Sequence, residues 1–147
     1  MAYRRIVCTT DFSEASDRAV EEAASLAKAL GAELTVLHVS PPTTPPPTGL
    51  FPSEEQVAKA HAAVREKLEK DLDAVRDRHG LGPETTLAHR DDPSPVEGIL
   101  KYIEDNDVDL VVIATAGRSG LQRWLIGSVT ERVVRHAKCA VLTVKVG

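Results

Sequence analysis

Residues 110–114 read Leu-Val-Val-Ile-Ala and run straight into Thr115-Ala116-Gly117-Arg118-Ser119-Gly120. Four consecutive apolar residues, three of them β-branched, fit a strand covered on both faces, which has no need to alternate apolar and polar side chains. Such a strand belongs at the centre of a parallel sheet. Working outward, short β-branched runs recur at Arg5 to Cys8, Glu33 to Val39, Glu84 to His89 and Ala140 to Val146. Helical periodicity fills the gaps between them. Apolar residues at 19, 20, 23, 24, 27 and 30 trace one helix face that Gly31 terminates, and Val57, Ala60, Val64, Leu68, Leu72 and Val75 repeat the pattern before His79-Gly80. Ser53 with Gln56, Ser94 with Glu97 and Ser128 with Glu131 have the spacing of capping boxes, and Pro95 takes the favoured first helical position. The order β-α-β-α-β-α-β-α-β predicts an α/β fold: an open, doubly wound, five-stranded parallel sheet with helices on both faces.

Composition narrows the function. The 147 residues suit one domain with one core. With 18 basic and 22 acidic residues the net charge is −4, a poor footprint for a protein that holds DNA or RNA by its phosphates, so no nucleic-acid partner is expected. Aromatics are 3% of the chain, too few for a base-stacking platform. The two cysteines, Cys8 and Cys139, sit in β-branched runs and read as small buried hydrophobes, which argues against a disulfide framework and for a reducing cytoplasm. No signal-peptide core follows Met1 to Ile6, and no segment approaches a membrane span. The Pro-rich stretch Ser40 to Pro52 reads as a surface loop, with a lid or partner-binding segment as its sharper alternative.

In a doubly wound sheet, ligands collect beyond the carboxyl ends of the strands where strand order reverses. The two most polar strand exits are Thr9-Thr10-Asp11-Phe12-Ser13 and Ala114 to Gly120. Glycines at 117, 120 and 127 permit close backbone approach, and Gly127-Ser128 opens a helix whose free N–H groups favour an anion. Charge agrees: Gly117 to Lys138 carries Arg118, Arg123, Arg132, Arg135 and Lys138 against Glu131 alone, a +4 segment in a −8 remainder. The plainer reading, a capped helix after a glycine-rich loop, fits the spacing equally well.

Several signatures are missing. There is no GxxxxGK[ST], no GxGxxG after a strand and no GxSxG elbow. His38, His61, His79, His89 and His136 lack paired ligand spacing, so packing or surface roles are expected. Asp91-Asp92 before Pro93-Ser94-Pro95 reads as a turn into a capped helix. Asp11 is equally a helix-start residue and a ligand contact.

These residues resemble the universal stress protein family over nearly the whole chain. The likeness rests on Ile6 to Ser16, on Leu34-Thr35-Val36-Leu37-His38-Val39, on Asp92-Pro93, on Asp109 to Ile113 and on the closing strand. The family's ATP-binding branch carries a glycine, two residues, a glycine, nine residues, then glycine with serine or threonine. Here that reads Ala114-Thr115-Ala116-Gly117, nine residues from Arg118 to Ile126, then Gly127-Ser128, with alanine in the first glycine's place. The resemblance implies strand order 3-2-1-4-5. It also implies ATP held by Asp11 at the ribose or adenosine side, by Thr9 and Thr10 along the pocket, by the backbone of Val39 at adenine and by Ala114 against the ribose. Gly117, Gly127, Ser128, Val129 and Thr130 would hold the phosphates, with Arg118 beside them. Mg²⁺ or Mn²⁺ would ride on those phosphates, with no protein ligands, and a homodimer would form through Ala140 to Val146.

Three functions follow. The first is an ATP-binding stress-response sensor or regulator, acting on a protein partner that the sequence does not name. The second is an interaction protein of the same fold without nucleotide. The third is a weak ATPase, disfavoured because phosphoryl transfer normally needs a lysine and a metal-binding carboxylate that the motifs do not supply.

Overall fold

The computed structural model describes residues 2–43, 53–115 and 126–146. Gly117, Arg118 and most of the Pro-rich stretch therefore lie outside the described residues. Five parallel strands form one sheet in the order β3-β2-β1-β4-β5: β1 (Arg5–Thr9), β2 (Glu33–Ser40), β3 (Thr86–Asp91), β4 (Leu110–Ala114) and β5 (Ala140–Val144). Four helices alternate with them: α1 (Glu14–Leu30), α2 (Glu54–Arg78), α3 (Pro95–Asp105) and α4 (Ser128–His136).

Strand alternation divides the core in two. Ile6, Cys8, Leu34, Val36, Leu110 and Val112 pack against α1 and the C-terminal part of α2. Val7, Leu37, Val111 and Ile113 pack against Val96, Ile99 and Ile103 of α3 and Val133 of α4. All five residues of β4 are buried, as a strand covered on both faces requires. Asp109 fixes the start of this strand, because its carboxylate accepts from the backbone N–H groups of Arg4 and Arg5 at 2.9 and 3.0 Å.

The strand ends differ by a few residues from the sequence reading, for local reasons. β3 begins at Thr86 because Thr85 N–H closes a turn on Gly82 C=O at 3.1 Å, and it runs on to Asp91 opposite Ser40 of β2. β5 stops at Val144 because its partner β4 ends opposite it at Ala114; Val146 N–H turns instead to the Thr115 hydroxyl at 3.3 Å. The apolar stripe of α2 is only half used: Leu72 and Val75 are buried, whereas Val64 is 39% exposed. Among the described residues no helix is long and apolar enough to cross a membrane.

Two capping boxes need comment and one correction. Ser53 and Gln56 form the full reciprocal box, and Ser94 accepts from Glu97 N–H. Ser128 is the first helical residue and not the cap. The N-cap of α4 is Gly127, whose extended φ −61°, ψ 155° takes the position a capping side chain would need, and no side-chain cap bond is present.

Candidate functional site

Strand order reverses between β1 and β4, and there a cleft of about 350 Å³ opens at the carboxyl ends of the strands. Thr9, Thr10 and Asp11 border it from the exit of β1, Val39 from the end of β2, and Ala114 from the end of β4. Gly127, Ser128, Val129 and Thr130 close it with the first turn of α4. Nine of the eleven residues singled out in the sequence thus surround one cavity; the other two, Gly117 and Arg118, lie outside the described residues.

Each wall is built by a traceable local device. Thr10 N–H donates to Leu37 C=O at 2.9 Å, so the chain leaves the sheet still attached to β2. Ser16 Oγ has one proton, which goes to the Ser13 carbonyl at 2.9 Å; the Thr10 hydroxyl, 3.1 Å away, therefore donates to Ser16 Oγ. Thr10 Oγ1 also accepts from Phe12 N–H at 3.0 Å. Its hydroxyl is thus committed to the turn. The Asp11 carboxylate accepts from both N–H and Oγ–H of Ser13, which is itself the N-cap of α1, so this acid is a turn-former whose position is fixed at the cleft edge.

The opposite wall is anchored to β4. Thr130 Oγ1 donates to Ala114 C=O at 2.7 Å, and Gly127 N–H donates to Thr115 C=O at 2.7 Å. These two bonds hold the start of α4 over the strand end. Ser128, at the first helical position, is exposed, and the N-cap, a glycine, offers the first-turn N–H groups no side-chain acceptor. An uncapped helix start presents partial positive charge and free donors. Two of the five basic residues summed from the sequence are occupied near the end of α4: Arg135 pairs with Glu131 at 2.7 Å and Lys138 with Glu104 at 2.7 Å.

Sequence reasoning missed the apolar floor. Leu37, Ile113, Pro95 and Ile99 also line the cleft, with Ser16 at its edge. Pro95 and Ile99 are one helical turn apart, so the four-residue spacing after the Ser94 cap was the signal that places α3 against the sheet here. His38 sits on the other side of the sheet, where its Nδ1 lies 2.7 Å from the Thr10 carbonyl. Cys8 is fully buried and its thiol is pushed far above its ordinary range by that burial; Cys139 is half-buried and raised for the same first cause. Asp92 is the turn-former expected, its Oδ1 accepting from Ser94 N–H at 2.9 Å. Among the described residues no three His, Cys, Asp or Glu side chains group to hold a metal ion.

The pattern of the Universal stress protein family matches residues 2–145. The chain belongs to the universal stress protein family. A universal stress protein of Methanocaldococcus jannaschii is 34% identical over 146 residues, covering 97% of this chain and 82% of the relative. Among solved structures, the universal stress protein UspA of Lactobacillus plantarum superposes with TM-score 0.70 at 26% identity over 99% of both chains. A universal stress protein solved in complex with cAMP superposes with TM-score 0.69 at 27% identity over 100% of both. The five-stranded order found here is that of a universal stress protein fold, with the cleft at its switch point.

Proposed function

We propose that this universal stress protein binds an adenine nucleotide in the β1/β4 cleft, ATP in particular, and acts as a sensor or regulator whose occupancy changes what it contacts. The observation that carries the reading is the juxtaposition of an apolar slot, formed by Leu37, Val39, Ile99 and Ile113, with the uncapped first turn of α4. A purine needs the first and a phosphate chain the second. The 27%-identical universal stress protein solved with cAMP supports an adenine nucleotide.

In this reading the Val39 backbone meets the adenine edge, Asp11 and Ala114 flank the ribose, Thr9 and Thr10 shape the wall, and Gly127, Ser128, Val129 and Thr130 meet the phosphates. Gly117 and Arg118 would complete the phosphate side. Asp11 is the one carboxylate among the described lining residues and is already bonded to Ser13, so Mg²⁺ or Mn²⁺ would be carried by the phosphates, whose charge it would screen. The described lining contains no lysine, which favours binding over phosphoryl transfer.

Nucleotide released on denaturing the purified protein, identified by mass spectrometry, tests the reading. Recovered adenine nucleotide supports it; none recovered, together with no uptake of added nucleotide, favours the interaction protein without ligand. Steady phosphate release above that of Ser128→Ala would instead revive the ATPase.

A further inference from the structure

His38 belongs to the face of β2 that packs on α1, opposite the cleft, since it shares strand parity with Leu34 and Val36. It nonetheless reaches the cleft wall through the backbone. The β1–β2 register ends at Thr9 opposite Leu37, and one residue further on the Thr10 carbonyl meets His38 Nδ1 at 2.7 Å. A carbonyl only accepts, so Nδ1 carries the proton. The next residue but one, Phe12, has φ +66°, a conformation that costs a side-chain-bearing residue roughly 1 kcal/mol or more. Its ring lies 4.4 Å from the imidazole, centroid to centroid, and it packs on the buried cluster beneath. One side chain therefore grips both ends of the strained Thr10–Phe12 turn that carries Asp11.

We propose that His38 is a positioning residue for the nucleotide cleft: by donating to the Thr10 carbonyl and backing Phe12 from the far side of the sheet, it holds the turn in the shape that frames the ligand. This rests on the nucleotide reading above and adds to it a residue that never touches the ligand. Around the ring stand Phe12 and His89, the latter stacked at 6.0 Å and itself bonded to the Ser40 hydroxyl at 2.7 Å with Asp91 at 3.5 Å.

The test uses two variants. In His38→Asn the side-chain amide nitrogen takes the place of Nδ1 and keeps the donor; His38→Leu fills similar space without one. Calorimetry with ATP is expected to give His38→Leu about tenfold weaker binding, of the order one lost part-buried hydrogen bond allows, and His38→Asn binding within about threefold of the parent. Leu87→Ala, beneath the same face, serves as a variant that lowers stability without touching the turn. Equal binding by His38→Leu and the parent, or equal losses in both variants with Leu87→Ala also matching them, overturns the proposal. The NMR amide shifts of residues 9–13 without nucleotide give a second readout. They should move in His38→Leu and stay in His38→Asn; if they move in neither, the clamp is refuted whatever the nucleotide does. If the parent binds no ATP while these shifts behave as expected, the nucleotide reading fails and the clamp stands as a feature of the turn.

Discussion

Gly98 of α3 shows how a single missing side chain sets the cleft. A β-carbon there would lie 2.5 Å from Val39 Cγ1 and 3.1 Å from Asp92 Cβ, and the branched Val39 is held to few rotamers. Gly98→Ala must push α3 away from β2. We expect a loss of about 1–3 kcal/mol, the usual cost of overpacking, visible as a lower melting temperature, together with weaker nucleotide binding because Val39 and α3 flank the slot. Unchanged melting would show that the helix yields freely. Cys8 gives a pH-dependent expectation. Burial favours the neutral thiol in the folded state, so its contribution to stability is full below the ordinary thiol pKa and is lost as pH rises above it. The parent should lose more stability than Cys8→Ala between about pH 8 and pH 10, and Cys8 should resist thiol reagents until the protein unfolds. Rapid labelling of Cys8 in the native protein would contradict its burial.

At the scale of elements, α2 separates periodicity from burial. Its stripe from Val57 to Val75 follows one helical face, but only its C-terminal end, Leu72 and Val75, enters the core. Val64→Ala should therefore change stability by less than about 0.5 kcal/mol, whereas Val112→Ala in β4 should cost about 2–3 kcal/mol for the lost methyls and the cavity left behind. Chemical denaturation of both variants checks the contrast; similar losses would mean that α2 packs along its whole length. The same element explains what was legible. The parallel sheet, the interior place of β4 and the two exits flanking the cleft follow from patterns that burial imposes on β-branched runs and helix faces, whereas the strand order is what the family resemblance implies, and it puts β1 rather than β4 at the centre. Ser128 misled because a Ser-x-x-Glu spacing does not say which residue is extended; in the fold that residue is Gly127. The apolar floor was hidden for a related reason, since Leu37 and Ile113 look like any core residue until the topology brings strand ends and α3 to one place.

For the molecule as a whole, charge and edges carry the remaining expectations. The +4 sum over residues 117–138 is less concentrated than the sequence suggests, because two of its five bases, Arg135 and Lys138, are paired with Glu131 and Glu104. Among the described residues β5 pairs with β4 alone and exposes Leu142 to 38%, leaving the edge that we propose for homodimer pairing. Thr143→Pro should halve the mass seen by light scattering by removing an edge donor; a dimer that persists would move the interface elsewhere. The central claim is adenine nucleotide binding at the β1/β4 cleft, and calorimetric titration of the parent and Gly127→Val with ATP, ADP and AMP tests it most directly. Gly127 has an extended backbone that a valine can adopt, so the variant should fold while setting a branched side chain over the first turn of α4. We predict saturable binding by the parent that Gly127→Val abolishes; no heat with any of the three, or equal binding by the variant, would contradict the account.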